Sequence, residues 1–279
     1  MPDSALKLGR IDYLNCLPLY EGLRQLPEEP GFHLTGGNPA ELNRKLAEGR
    51  IDISPSSSIL PAVSPDKNYF ILPGIAIASL TEVRSVLLVS RRPLAELAGS
   101  EITLTSHSLT SVFLLKIILA RFQGIDLNEL SFSGGEFFPA AGAEAALVIG
   151  DRALELFYTP PAGYQIYDLG RLWHRFTGLP FVYALWLGRR ELLAGKGPEL
   201  NRLHQHILKV ISGLPPQLPG LAERQARATV FNRNQLLAYW QQAISYQLDA
   251  EALAGLRLFY QYAFELELIG QIPELKFFP

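Results

Sequence analysis

Short apolar runs that end in small polar loops, each followed by a helical pattern, recur in two blocks along this chain, and no other feature narrows its possible folds as far. Lys7 to Ile11 runs into a loop at Asp12 to Pro18, and Tyr20 to Leu26 has the pattern of a short helix. Asn38-Pro39-Ala40-Glu41 is a strong helix start, with an N-cap, a proline at the first helical position and a glutamate where a capping box wants it. Leu42 and Leu46 share one helix face, and Gly49 closes it. Ile51 and Ile53 lead into Pro55-Ser56-Ser57-Ser58, a strand that breaks into a hydroxyl-rich loop, and Ser58 to Val63 is helical. Tyr69 to Ala78 is expected to form a strand pair bent at Pro73-Gly74, and Val83 to Ser90 is rich in Val and Leu, as buried strands are.

The second block starts near Arg91. Ile102 to Thr105 and Ala145 to Ile149 are strands, Val112 to Phe122 is a helix closed by Gly124, and Phe181 to Leu187 is a strand that leads the chain back. Gly36-Gly37 and Gly134-Gly135 read as turns. From Glu191 onward only helical patterns occur, among them Leu203, Ile207, Val210 and Ile211, and then Leu253 to Ile269. A helical tail without a sheet of its own must pack on the first block, which requires the chain to cross twice between two lobes.

Composition removes several alternatives. The 279 residues are 48% hydrophobic, enough for two cores, and 25 basic residues against 27 acidic ones form no run that would follow a nucleic-acid backbone. No apolar run reaches the length of a membrane span, and Met1 to Arg10 has no signal-peptide core, so a cytoplasmic chain is expected. One cysteine, Cys16, forbids an internal disulfide and a multi-cysteine zinc site. The histidines at 33, 107, 174, 204 and 206 have no metal-binding spacing, and dinucleotide, Walker and nucleophile-elbow motifs are absent. Nothing in the chain demands a cofactor or a metal.

In open α/β sheets ligands bind beyond the carboxyl ends of the strands, so the loops after the strands carry the candidates. These are Tyr13 and Asn15; Ser56, Ser57 and Ser58; Ser108, Thr110 and Ser111; and Gly150 with Asp151. Ser108 to Ser111 precedes an apolar helix, where free N–H groups and the helix dipole make an anion site without Lys or Arg; the same serines are also ordinary helix caps. Asp151 has three readings: general base, acceptor for a substrate hydroxyl, or N-cap of a helix from Arg152 to Phe157. Arg84 and Ser85 lie at a crossing, where Arg84 either pairs a carboxylate or braces the hinge.

Taken together, RIDYLNCLPLY (10–20), NPAELNRKLAEGRIDISPSSS (38–58), VRSVLL (83–88), SLTSVFLLKIIL (108–119), IGDRAL (149–154) and DLGRLWHRFTGLPFVYALW (168–186) resemble the chorismate dehydratase family of the futalosine route to menaquinone. The resemblance implies an α/β fold of the type II periplasmic-binding-protein kind, with lobes of 1–88 plus 188–279, and 89–187. It implies loss of water from chorismate to give 3-[(1-carboxyvinyl)oxy]benzoate, with no metal and no organic cofactor. Asn15 and Ser85 are then expected to face the ring, with the serines at 56–58 and the 108–111 group holding two carboxylates. Where the family often has glycine ahead of VRSV this chain has Leu80-Thr81-Glu82, a departure that bears on the hinge. Asn15 and Ser85 are poor bases, so the base is either the substrate's own enolpyruvyl carboxylate or Asp151. Rival readings are a binding protein or sensor of the same fold, and a sister enzyme of the same pathway, expected to place a histidine in the cleft, for which His107 is the candidate.

Overall fold

The computed structural model describes residues 5–26, 31–135 and 144–279; Met1 to Ser4, part of the stretch read above for a signal, lie outside them. In chain order the first elements are β1 (Leu6–Ile11), α1 (Leu17–Arg24), β2 (Phe32–Gly37), α2 (Pro39–Ala47), β3 (Ile53–Ser57), α3 (Leu60–Val63) and β4 (Tyr69–Ser79). Next come β5 (Val86–Ser90), β6 (Glu101–Leu104), α4 (Leu109–Ile117), β7 (Ser131–Gly134), β8 (Ala145–Ile149), α5 (Gly150–Tyr158), β9 (Gln165–Asp168) and α6 (Leu169–Thr177). The chain ends with β10 (Phe181–Arg189), α7 (Gly197–Gly213), α8 (Leu218–Gln225), α9 (Arg233–Ala238), β11 (Ser245–Leu248) and α10 (Ala250–Glu265).

These strands form two mixed sheets, each the centre of one lobe. The first has the order β11-β4-β10-β3-β1-β2 and the second β7-β6-β8-β5-β9. β1 runs parallel to β2 and β3, while β10 inserts antiparallel between β3 and β4. In the second sheet β6 is parallel to β7 and β8, and β5 is antiparallel to β8 and β9. The helical tail packs on the first lobe, α7 against α1 and β4, α10 against β10, with α10 also reaching α4.

Sheet membership moves both expected lobe boundaries, 88/89 and 187/188. β5 pairs entirely within the second sheet and β10 entirely within the first, so the crossings are residues 80–85 and 169–180. Both strands are continuous apolar runs, and such runs carry no mark of the sheet they join.

Several local expectations change for physical reasons. Tyr69 to Ser79 is one strand, not a pair, but it is irregular where the bend was expected: its ladder to β10 shifts register between Ile71 and Ala76, Gly74 takes φ +72, and the Pro73 carbonyl accepts from His204 Nε2 at 2.8 Å. Gly36 and Gly37 end β2 as an edge strand, paired with Arg10 and Ile11 of β1. Gly134 likewise ends β7, and the tail contributes β11 to the first sheet. The helix start at Asn38 stands as expected, with Asn38 Oδ1 accepting from Glu41 N at 2.9 Å.

The second crossing is built around Trp173, fully buried, whose ring meets Phe181, Phe259 and Tyr262 edge-on at 5.2 to 6.3 Å. Its indole N–H donates to Pro180 O at 3.2 Å, and Gly178 ends α6 at φ +71. That turn aims β10 back into the first sheet.

Candidate active site

A narrow cavity of about 60 Å³ lies between the lobes, room for a few waters. The carboxyl ends of β1, β3 and β8, the start of α4 and the first crossing converge on it. Tyr13, Asn15, Ser56, Ser57, Ser85, Ser108, Ser111 and Gly150 line it, together with apolar Ile11, Ile77, Val83, Val86, Ile149 and Ile244. Pro39, Tyr183 and Ala184 complete the wall, so among the described residues no Asp, Glu, Lys, Arg or His lines it.

The loop after β1 is clamped through its backbone. Leu14 N donates to Asp151 Oδ1 at 2.9 Å, Leu14 O accepts from Trp240 Nε1 at 2.8 Å, and Asn15 O accepts from the Tyr246 hydroxyl at 2.6 Å. With its main chain held from both lobes, Asn15 presents a buried amide oxygen, Oδ1, that has no hydrogen-bond partner among the described residues. Tyr13 packs its ring on Gly150, where two facts require glycine: φ is +67, and a Cβ at this position would lie 3.1 Å from the ring. The Tyr13 hydroxyl lies 3.4 Å from His107 Nδ1, so these two side chains meet across the cleft.

Asp151 does not line the cavity. It is the second residue of α5, which starts at Gly150 with Ile149 before it, so Asp151 is not the cap expected for a helix from Arg152. Burial raises its carboxyl above the usual range; the Leu14 N–H offsets this in part and Glu155 adds repulsion. Its role in this geometry is to hold the first loop. Cys16 is fully buried, and burial with the nearby Asp151 and Asp12 charges raises its thiol far from any thiolate role.

The serine groups divide between cavity and scaffold, and the first is not the loop expected: Pro55, Ser56 and Ser57 continue β3 because β10 pairs with them. Ser56 Oγ is buried, faces the cavity and has no partner among the described residues. Ser57 is braced by Asn43, which donates to its Oγ at 3.1 Å and accepts from its N–H at 3.3 Å. Ser58 and Thr110, both expected at the ligand, instead join the lobes. The Ser58 hydroxyl donates to Val182 O at 2.7 Å and lies 3.4 Å from Thr110 Oγ1, which accepts from Ile59 N at 3.4 Å. Neither lines the cavity, because each hydroxyl is consumed by a partner on another element. Ser108 caps α4, accepting from Ser111 N at 3.3 Å, with the two hydroxyls 2.8 Å apart. Cap and cavity wall are here the same residue, and the positive end of α4 faces the cleft.

At the first crossing Ser85 faces the cavity, but Arg84 does not. Its guanidinium pairs with Glu82 at 2.6 Å, donates to Gln242 Oε1 at 2.9 Å and lies 5.6 Å over the Phe157 ring. Of the two roles open to Arg84, the geometry selects the hinge brace. Burial opposes the charge on Glu82, but hydrogen bonds from Arg171 and Arg84 win and lower its pKa. Asp168, 6% exposed, caps α6 through Arg171 N at 3.0 Å and accepts from Val83 N at 3.1 Å and Arg84 N at 2.6 Å. It ties the two crossings together and holds Arg84 at φ +60.

Sequence reasoning missed Tyr239, Trp240 and Tyr246 from the tail, as well as Asn43 and Asp168. Tyr239 donates to Ser85 Oγ at 2.7 Å across 154 positions. Buried aromatics in an apolar tail carry no local sign of a polar duty.

A family model described as menaquinone biosynthesis matches residues 6–265. The chain belongs to this menaquinone biosynthesis family. It is 35% identical over 198 residues to the chorismate dehydratase of Thermus thermophilus, a match covering 66% of this chain and 70% of that protein. It is 32% identical over 158 residues to the 1,4-dihydroxy-6-naphtoate synthase of the same organism, covering 55% of this chain and 54% of that one. Among solved structures, the alkanesulfonate-binding protein of Xanthomonas axonopodis superposes with a TM-score of 0.73 at 17% identity, covering 97% of this chain and 96% of that chain. That likeness establishes the two-lobed periplasmic-binding-protein fold. No helix among the described residues is long and apolar enough to cross a membrane.

Proposed function

We propose that this menaquinone-biosynthesis family member is a chorismate dehydratase that eliminates water from chorismate to give 3-[(1-carboxyvinyl)oxy]benzoate. The observation that carries the reading is a cavity walled by neutral hydrogen-bonding and apolar groups, with Asn15 Oδ1 and Ser56 Oγ buried and unpartnered at its surface. Likeness to a chorismate dehydratase over two-thirds of the chain supports it. The substrate's carboxylates are taken up by the hydroxyls of Ser56 and Ser57 on one lobe and by Ser108, Ser111 and the start of α4 on the other. Asn15, Ser85 and Tyr13 orient the ring. Because about 60 Å³ admits water and not a ring, the lobes part to load the substrate and close on it.

Among the described residues the lining offers no protein base, and Asp151 is occupied with Leu14. The substrate's enolpyruvyl carboxylate therefore removes the proton from the ring carbon that bears the ether. The neighbouring carbon–oxygen bond breaks, the ring becomes aromatic, and the departing oxygen leaves as water with that proton. A base tethered to the reacting carbon gains effective molarity that a dilute external base lacks, on the order of several powers of ten in rate. His107, the histidine that the sister reaction would use, reaches the cleft beside Tyr13 but does not line the cavity, so turnover of chorismate itself separates the two readings. A single buried, unpaired cysteine fits the reducing cytoplasm, where the reading locates the enzyme.

Incubating the purified protein with chorismate and following the aromatic product by ultraviolet absorbance tests the reading. Release of the enolpyruvyl benzoate at a catalytic rate is expected. Binding without conversion would leave a sensor or binding protein in its place.

A further inference from the structure

We infer that Tyr239 is a positioning residue that makes the Ser85 hydroxyl a hydrogen-bond donor to the bound substrate, a role that rests on the dehydratase reading above. Tyr239 opens a wide helical turn, Tyr239–Ala243, that follows α9, and it is 1% exposed. It does not line the cavity, whereas Ser85 does. Its phenol donates to Ser85 Oγ at 2.7 Å, and burial, opposed only in part by that bond, keeps the phenol protonated at any working pH.

A lone serine hydroxyl has one proton to give and two lone pairs to receive with, and its rotor is free. Toward a substrate hydroxyl it can serve with either polarity. Here one receiving position is taken by Tyr239, and the proton of Ser85 points to Val83 O at 3.3 Å, a long bond that is easily exchanged. A hydroxyl that accepts a short hydrogen bond is also the stronger donor. The oxygen that departs in the elimination gains negative charge as its bond to carbon lengthens, so it needs a donor in place beforehand. Tyr239 thereby selects the polarity of Ser85 that favours the transition state over the ground state.

The test is a kinetic cycle with chorismate across wild type, Tyr239→Phe, Ser85→Ala and the double variant, with urea midpoints to confirm folding. Tyr239→Phe is expected to lower kcat about tenfold, the scale of one neutral hydrogen bond, with KM within about twofold. In the Ser85→Ala background the same change should cost less than about twofold, since the group it positions is gone. An unchanged kcat for Tyr239→Phe, or an equal loss in both backgrounds, overturns the role of Tyr239 while leaving the dehydratase reading intact. A wild type that does not convert chorismate overturns that reading and the inference with it. Should Tyr239→Phe fail to fold, 4-aminophenylalanine at position 239 supplies a weaker donor of the same shape. An intermediate kcat then supports the inference and a wild-type kcat refutes it.

Discussion

Replacing Asp168 by alanine removes one buried carboxylate that three main-chain N–H groups share. Arg171 loses its helix cap, a cost of about 1 kcal/mol. Val83 and Arg84, themselves 2% and 9% exposed, are left with buried N–H groups that this carboxylate had satisfied, at about 1–3 kcal/mol each. The expected loss is therefore roughly 3–7 kcal/mol, a large part of the 5–15 kcal/mol typical of a whole domain. Asp168→Asn keeps the acceptor that serves Arg171 and Val83 and turns a donor toward Arg84, so its loss should be smaller. Urea unfolding followed by tryptophan fluorescence measures both. An alanine variant within about 1 kcal/mol of wild type would show that the carboxylate does not join the crossings as argued, because even the lost cap alone should cost that much.

Asp151→Asn retains an acceptor for Leu14 and should turn over chorismate at close to the wild-type rate; a loss of chemistry with binding intact would return the base role to Asp151. The stability of wild type relative to this variant should depend on pH in a definite direction. A carboxyl raised by burial holds its proton more tightly folded than unfolded, so its unfavourable contribution is absent below its unfolded pKa and complete above the folded one. The asparagine variant is thus expected to gain on wild type at about pH 7 and to lose that gain near pH 3, read from urea midpoints at each pH. Ser56→Ala should leave the urea midpoint unchanged and raise KM, because that hydroxyl has no partner among the described residues, whereas Ser58→Ala should cost about 1 kcal/mol with KM unchanged. Gly150→Ala forces a Cβ against Tyr13 at φ +67, a destabilisation of about 1–2 kcal/mol from the backbone alone, and calorimetry should detect it with a rise in KM.

Much of the site was legible because its parts are local. Asn38 and Ser108 cap the helices that begin directly after them, the loop at Tyr13 follows β1 and Gly150 opens α5 straight after β8, whereas Ser56 and Ser57 lie in β3 itself. The motif string that resembles the dehydratase family held through comparison with known proteins. What stayed hidden was the division of labour within each loop. Ser56 and Ser58 are two residues apart and chemically the same, yet one hydroxyl is free at the cavity and the other is bound to Val182, 124 positions away.

By itself, then, the amino-acid order determined the two-lobed α/β architecture, the double crossing and the set of loops that meet in the cleft. Periodicity, caps and turns act over a few residues, so they are written in the chain where they operate. Only the tertiary structure decided which sheet takes β5 and β10, which of the candidate polar groups stay unsatisfied, and that Arg84 and Asp151 serve the hinge and the first loop. Those outcomes depend on partners such as Tyr239 and Trp240, 154 and 226 positions from the groups they bond, and distance along the chain leaves no mark in local sequence.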